Sequence, residues 1–192
     1  MDLGTGDGRF VLDLAKREPE TFVIGIDANK KPLEKPSVKI TRKPAKGGLA
    51  NVMFIQAAAE DLPDELYGIA DRVTINLPWG SLLRAVLLPD AEVLRGIRGL
   101  IKRGGILEVV TAIDPVRDRQ ELERLGLPRL TDRHFEFDLP RAYRNAGFEP
   151  NDGANPVPAD RLKVRTSWGK RLSGSSERSV LRFVFTADQA NP

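Results

Sequence analysis

DLGTGDGRFVLDLAKREPETFVIGID, residues 2–27, holds three structural signals in one short run. Gly4, Gly6 and Gly8 alternate with other residues, so the backbone there can turn tightly and come close to a ligand. From Arg9 to Glu18 the spacing predicts a helix with Val11, Leu14 and Ala15 on one face, stopped at Pro19. From Thr21 to Asp27 the β-branched content predicts a strand, and that strand ends in an acid. Asp27 lies roughly twenty residues beyond the glycine loop, the spacing at which an acid on a second strand bonds two ribose hydroxyls.

The same alternation continues downstream. Strands are expected over Asn51–Gln56, Asp71–Asn76, Ile106–Ile113 and Ser179–Thr186. Asp90 is positioned to cap a helix carrying Val93, Leu94, Ile97, Leu100 and Ile101 at core spacing, with Gly104-Gly105 as its stop. Strands alternating with helices imply βαβ units, hence an α/β fold with a largely parallel, doubly wound sheet covered on both faces. The Pro-, Asn- and Gly-rich run Glu149–Pro158 reads as a loop before a final strand.

The chain has 192 residues, which suits a single domain with one sizeable core. Its mean composition, 41% apolar and 30% charged, reads as soluble and globular. No apolar run approaches twenty residues, so no membrane span and no membrane partner is expected. Cysteine is absent, which excludes disulfides and thiolate metal sites and fits a cytoplasmic protein. With His134 the single histidine, neither a histidine-based metal site nor a Ser-His-Asp triad is expected, and His134 itself reads as a packing or surface residue.

Basic residues cluster strongly. Residues 30–46 hold seven lysines and arginines against Glu34, and residues 161–182 hold seven against Glu177. Such clustering is the footprint of a polyanionic partner, although two solvated basic faces would look the same.

Two further strand ends carry chemistry. The third strand runs into Ala57-Ala58-Ala59-Glu60-Asp61. Small side chains leave room for a flat purine, and an acid accepts its exocyclic amine. The fourth ends in Asn76-Leu77-Pro78-Trp79, which is similar to the Asn-Pro-Pro-aromatic motif of adenine methylases, with Leu77 in place of the first proline. In those enzymes the aromatic ring stacks on a base turned out of its helix.

Across almost the whole chain, "DLGTGDGR", "KPAKGGLANV", "AAAEDLP", "PWGSLL" and "SWGKRL" resemble the aminoglycoside-resistance methyltransferases of the kanamycin–apramycin type, which modify N1 of adenine 1408 in bacterial 16S rRNA. The resemblance implies a Rossmann-like class I methyltransferase with an antiparallel C-terminal strand and S-adenosylmethionine as cofactor. It implies that Asp2 and Gly4 meet the methionine end of the cofactor, that Asp27 holds the ribose, and that Ala59 and Glu60 meet the adenine. Asn76, Leu77, Pro78 and Ser81 would border the methyl group, with Thr166 and Ser167 closing over it. Trp79 and Trp168 would sandwich the flipped base.

The partner so implied is the 30S subunit at helix 44 of its 16S rRNA, met by a monomer. Lys35, Lys39, Arg42, Lys43 and Lys46 recur at three and four, and predict one basic helix over 35–46 with Pro36 in its first turn. Together with Lys170, Arg171 and Arg178 in the linker 149–178, they would grip phosphates. Only Met1–Leu3 precede the glycine loop, so the first strand is expected to be truncated. Two other readings stay open: an N6-adenine methyltransferase on rRNA or DNA, and a non-catalytic RNA-binding protein of Rossmann-like fold. A nicotinamide oxidoreductase is disfavoured, because no Tyr-x-x-x-Lys pair is present.

Overall fold

The computed structural model describes residues 1–114, 116–127, 130–157 and 179–188, with the backbone alone for 152–157 and 179. The elements along the chain are β1 (Asp2–Leu3), α1 (Arg9–Arg17), β2 (Val23–Asp27), α2 (Lys30–Ile40), β3 (Val52–Gln56), β4 (Ala70–Asn76) and α3 (Gly80–Leu87). They continue with α4 (Ala91–Leu100), β5 (Ile101–Ile113), α5 (Arg119–Arg124), α6 (Leu139–Asn145), β6 (Phe148–Val157) and β7 (Ser179–Ala187). The seven strands form one sheet in the order β3-β2-β1-β4-β5-β7-β6. The first five run parallel, while β7 is antiparallel to both β5 and β6.

Alternation along β2 explains the layering. Val23 packs with Val11 and Ala15 of α1 and with Val52 of β3. Its neighbours Ile24 and Ile26 join the main core with Ile75, Leu83, Leu94 and Ile97. Side chains one residue apart on a strand point to opposite faces, so the two clusters lie on opposite sides of the sheet. In the main core the Tyr143 ring stacks on Phe185 with centroids 4.1 Å apart, and its hydroxyl donates to the Val86 carbonyl at 3.1 Å. That bond satisfies the one polar atom of a fully buried ring.

Four expectations are corrected. The basic helix expected over 35–46 is two pieces: α2 starts at Lys30 and ends at Ile40, and a separate 3-10 turn spans Pro44–Lys46. Pro44 forces Lys43 into an extended conformation, ψ 144°, which a helix cannot continue. Pro36 therefore lies inside the helix rather than in its first turn. Gly104-Gly105 does not stop α4, because Ile101 already belongs to β5 and both glycines sit within that strand. The run expected to be a loop, Glu149–Pro158, is largely β6, an edge strand with register shifts. Prolines are tolerated on an edge, where no further strand needs their missing N–H.

The short β1 occupies the middle of the sheet. Asp2 and Leu3 pair with Gly25 and Ile26 on one side, and Asp2 pairs with Thr74 on the other. Near its start, β2 and β4 border a cleft lined by Phe22, Val23 and Ile24 on one side and Ala70, Asp71 and Arg72 on the other.

Two side chains fasten the connections. Asn51 donates from Nδ2 to the carbonyls of Ala15, Glu18 and Thr21, closing the end of α1. Arg98 donates to Gly147, Ile101 and Asp188 carbonyls at 3.1, 3.0 and 2.8 Å, tying α4 to both antiparallel strands. Truncating Arg98 leaves three acceptors without their donor. Arg98→Ala should lower the thermal midpoint by about 5–10 °C, or roughly 2–3 kcal/mol, in a scanning calorimeter.

Candidate active site

The carboxyl ends of parallel strands are where an open α/β sheet places its ligand crevice. A cavity of about 570 Å3 opens there, bounded by the glycine loop, the ends of β2, β3 and β4, and the start of α3. Its size suits a small molecule.

The loop is shaped from both sides. Gly4 has φ +76°, and a Cβ on it would meet Leu82 of α3 at 2.7 Å, so glycine lets loop and helix close on each other. Asp27 fastens the loop to β2: its Oδ2 accepts from the Gly6 N–H at 2.7 Å and its Oδ1 from the Asn29 N–H at 2.9 Å. Asp27 is half-buried and lines the cavity, and each of its oxygens keeps a lone pair for a ligand hydroxyl. Ala57, Ala59 and Glu60 form another part of the wall, with Ala59 buried and Glu60 exposed.

Behind the cavity wall, against Asn76, lies Asp2. It is buried, and its Oδ1 accepts from Thr74 Oγ1 and Asn76 Nδ2, both at 2.8 Å. Burial pushes its carboxyl pKa up, opposed by these hydrogen bonds. Asn76 lines the cavity while Asp2 lies behind it, so the two are coupled through one hydrogen bond.

The fourth strand end forms the other wall. Leu77 and Pro78 are buried, and Leu77 has a left-handed backbone with φ +52°. Trp79 is extended, φ −135° and ψ 164°, and stands as the N-cap of α3. It is 43% exposed, which separates it from a core residue plugging a loop. Ser81 is exposed on the first turn of α3 and lines the same cavity.

Of the residues singled out in the sequence, Gly4, Asp27, Ala59, Glu60, Asn76, Leu77, Pro78, Trp79 and Ser81 thus surround one space, with Asp2 just behind it. Thr166, Ser167, Trp168, Lys170, Arg171 and Arg178 lie outside the described residues. Lys39 is half-buried on α2, whereas Arg42, Lys43 and Lys46 are exposed on the turn that follows. Gly48 holds that turn shut: a Cβ on it would lie 1.7 Å from the Arg42 carbonyl oxygen. Sequence reasoning missed Thr74 and Leu82. Thr74 lies two residues before Asn76 and so on the same face of β4, a clue that becomes meaningful only once β1 is known to lie alongside.

The donor set fits an adenosyl cofactor. A ribose-type acid, an alanine-lined wall beside an acid, and open space around Gly6, where an added Cβ would meet nothing within 4 Å, border one cavity. Among the described residues no three His, Cys, Asp or Glu side chains group as a metal site.

Known proteins resemble this chain along most of its length. The family model described as "NpmA: 16S rRNA (adenine(1408)-N(1))-methyltransferase" matches residues 1–186. The chain is similar to the 16S rRNA (adenine(1408)-N(1))-methyltransferase of Escherichia coli, with 41% identity over 184 residues covering 95% of this chain and 84% of the relative. The enzyme of the same name from Streptoalloteichus tenebrarius is 37% identical over 180 residues, covering 93% and 81%. Among solved structures it is similar to the aminoglycoside resistance methyltransferase NpmB1, with TM-score 0.86 and 74% identity over 97% of this chain and 85% of that one. A variant of the 16S rRNA (adenine(1408)-N(1))-methyltransferase from Catenulisporales acidiphilia, solved with its cosubstrate SAM, aligns with TM-score 0.87 and 34% identity, covering 100% and 86%.

Asp2 yields a test of site against stability. Its folded pKa lies above the unfolded value, so protonation favours the folded state: the group's contribution improves as pH falls and is least favourable above the folded pKa. Asp2→Asn keeps an oxygen for Thr74 and Asn76 but removes the buried charge. It should raise the thermal midpoint at neutral pH, narrow the difference between neutral and mildly acidic pH, and weaken S-adenosylmethionine binding by about tenfold or more by calorimetry.

Proposed function

The chain belongs to the 16S rRNA (adenine(1408)-N(1))-methyltransferase family, and on that premise we propose that it clamps a flipped adenine 1408 of the 30S subunit against Trp79 while S-adenosylmethionine lies in the cavity beside it. The protein is an S-adenosylmethionine-dependent methyltransferase acting on N1 of adenine 1408, a modification that confers aminoglycoside resistance. The observation that carries the clamp is the exposed Trp79, held on a rigid turn directly beside a cavity with cofactor-binding character.

In this reading Asp27 holds the ribose hydroxyls, and Ala59 and Glu60 receive the adenine of the cofactor. Asp2, with Gly4, holds the methionine end, positioned by Thr74 and Asn76. Asn76, Leu77, Pro78 and Ser81 border the methyl group, joined by Thr166 and Ser167. Trp168 supplies the second face of the base sandwich.

The bound cofactor supplies a methyl carried on a sulfonium. N1 of adenine has a free lone pair at neutral pH, so no side chain need remove a proton before attack, and the lack of a histidine in the cavity is no obstacle. A bond forms from N1 to the methyl carbon as the bond from carbon to sulfur breaks. The methylated base is cationic and can release a proton from N6 to solvent. What the protein contributes is alignment and exclusion of water, with Trp79 holding the ring in line with the methyl group. A cationic base on the drug-binding surface repels polycationic aminoglycosides.

Lys39, Arg42, Lys43 and Lys46 would meet phosphates near helix 44, as would Lys170, Arg171 and Arg178 next to the flipped base. We read the chain as one methyltransferase domain acting as a monomer in the cytoplasm, where its ribosomal substrate is found, with residues 35–46 and 149–178 as its RNA-contacting additions. Among the described residues no helix is long and apolar enough to cross a membrane.

Primer extension on 30S subunits treated with enzyme and cofactor tests the reaction. Methylation at N1 blocks the pairing edge and should stop reverse transcriptase at adenine 1408, whereas N6 monomethylation would let it pass. A non-catalytic RNA binder would show no heat on titration with S-adenosylmethionine. Trp79→Ala should lower turnover by about a hundredfold with cofactor affinity within about threefold, since base stacking is worth roughly 1–3 kcal/mol before misalignment is counted. Replacing Arg42, Lys43 and Lys46 with glutamine should weaken 30S binding and reduce the salt slope of log Kd by about 2–3.

A further inference from the structure

Leu77 is the one non-glycine residue with a left-handed backbone among the described residues, φ +52°. Two features oppose that conformation. The leucine Cβ crowds the following carbonyl in this region. The next residue is Pro78, which pushes its predecessor toward extended geometry. Glycine would occupy the turn without the cost of a Cβ. The position nonetheless carries leucine, and its side chain is only 7% exposed and lines the cavity.

The turn is held from both directions. On the strand side the Leu77 N–H donates to the Val110 carbonyl at 2.7 Å, extending the β4–β5 ladder one residue past Asn76. On the far side the Pro78 ring limits its own φ, Trp79 is extended, and Gly80 turns left-handed again at φ +62° as α3 begins. Trp79 therefore hangs between two left-handed residues, only one of which is a glycine. Strained backbone that the surroundings over-determine collects at functional sites.

We propose that Leu77 is a positioning residue for methyl transfer: its left-handed turn, anchored on Val110 and locked by Pro78, sets the height and tilt of the Trp79 ring, and its buried side chain keeps the turn from relaxing. This rests on the reading of Trp79 as the platform for the target base. A residue that served only to fill the wall would affect stability and leave the rate of the folded enzyme unchanged.

The test uses the full chain, 30S subunits and single-turnover methylation read by primer extension, with S-adenosylmethionine affinity measured in parallel. Leu77→Gly relieves the strain but frees the turn, and should slow methyl transfer by about tenfold or more while cofactor Kd stays within about threefold. Leu77→Met keeps an apolar side chain of similar volume, without a branch at Cβ, on the same turn and should restore the rate to within about threefold of the parent. If Leu77→Gly fails to fold, Leu77→Asn replaces it, because asparagine tolerates the left-handed turn but lacks the apolar anchor. The proposal is overturned if the glycine or asparagine variant transfers methyl at the parental rate, if its loss merely follows weaker cofactor binding, or if Leu77→Met is as slow as Leu77→Gly. A parent enzyme that gives no stop at adenine 1408 overturns the platform reading and this proposal together. A parental stop with an equally fast Leu77→Gly overturns the role of Leu77 alone.

Discussion

Asp2 Oδ1 accepts from Thr74 Oγ1 and Asn76 Nδ2 at 2.8 Å each, and this pair of bonds locks β1 to β4 where the two central strands reach the cavity. Placing an acid in the middle of a sheet is costly, since burial disfavours its charge. The cost is accepted at a point where both neighbours matter. Two residues after Asp2 the chain enters the glycine loop at Gly4, and three residues after Asn76 it reaches Trp79. Were β1 free to slide against β4, the loop that holds a cofactor and the turn that carries the tryptophan would move independently. Asp27 repeats the device one strand over, with its two oxygens joining β2 to the loop through Gly6 and to the start of α2 through Asn29. Two acids thus brace the site's backbone before any ligand is bound.

The alignment demanded by the chemistry explains why the remaining parts are rigid rather than adaptable. Attack by a ring nitrogen on a methyl group needs no proton transfer in advance, so the protein's contribution lies in geometry. Leu77, Pro78 and Gly80 confine the platform backbone. The far end of α3 is also tied down: Arg84 Nε donates to the Leu125 carbonyl at 3.1 Å, and His134 Nε2 lies 2.7 Å from the Leu87 carbonyl oxygen. The single histidine of the chain accordingly holds a helix end and lies away from the cavity.

Where sequence reasoning succeeded, the signal was local. Asp90 was legible as a cap because the chemistry spans three residues, and its Oδ1 does accept from the Glu92 and Val93 N–H groups. Where it failed, a neighbour from elsewhere decided. The prolines and glycine of 149–158 argue for a loop, yet the segment pairs with β7 as an edge strand, because an edge needs hydrogen bonds on one side only. The spacing of Lys35, Lys39, Arg42, Lys43 and Lys46 suits a helix face, but periodicity takes no account of Pro44 or of the tight turn closed at Gly48.

The sequence by itself determined the alternation of strand and helix, the glycine loop, the acid after the second strand, and the aromatic turn after the fourth. Each of these is written in residues adjacent along the chain, where spacing alone sets the backbone. Only the tertiary structure decided that Thr74 faces Asp2, that Leu82 closes on Gly4, and that Leu77 takes a left-handed turn before a proline. Those facts depend on which strands lie side by side and how closely two elements approach. A hydrogen bond between residues more than seventy positions apart, or a backbone strain held by a neighbouring strand, has no local signature to read.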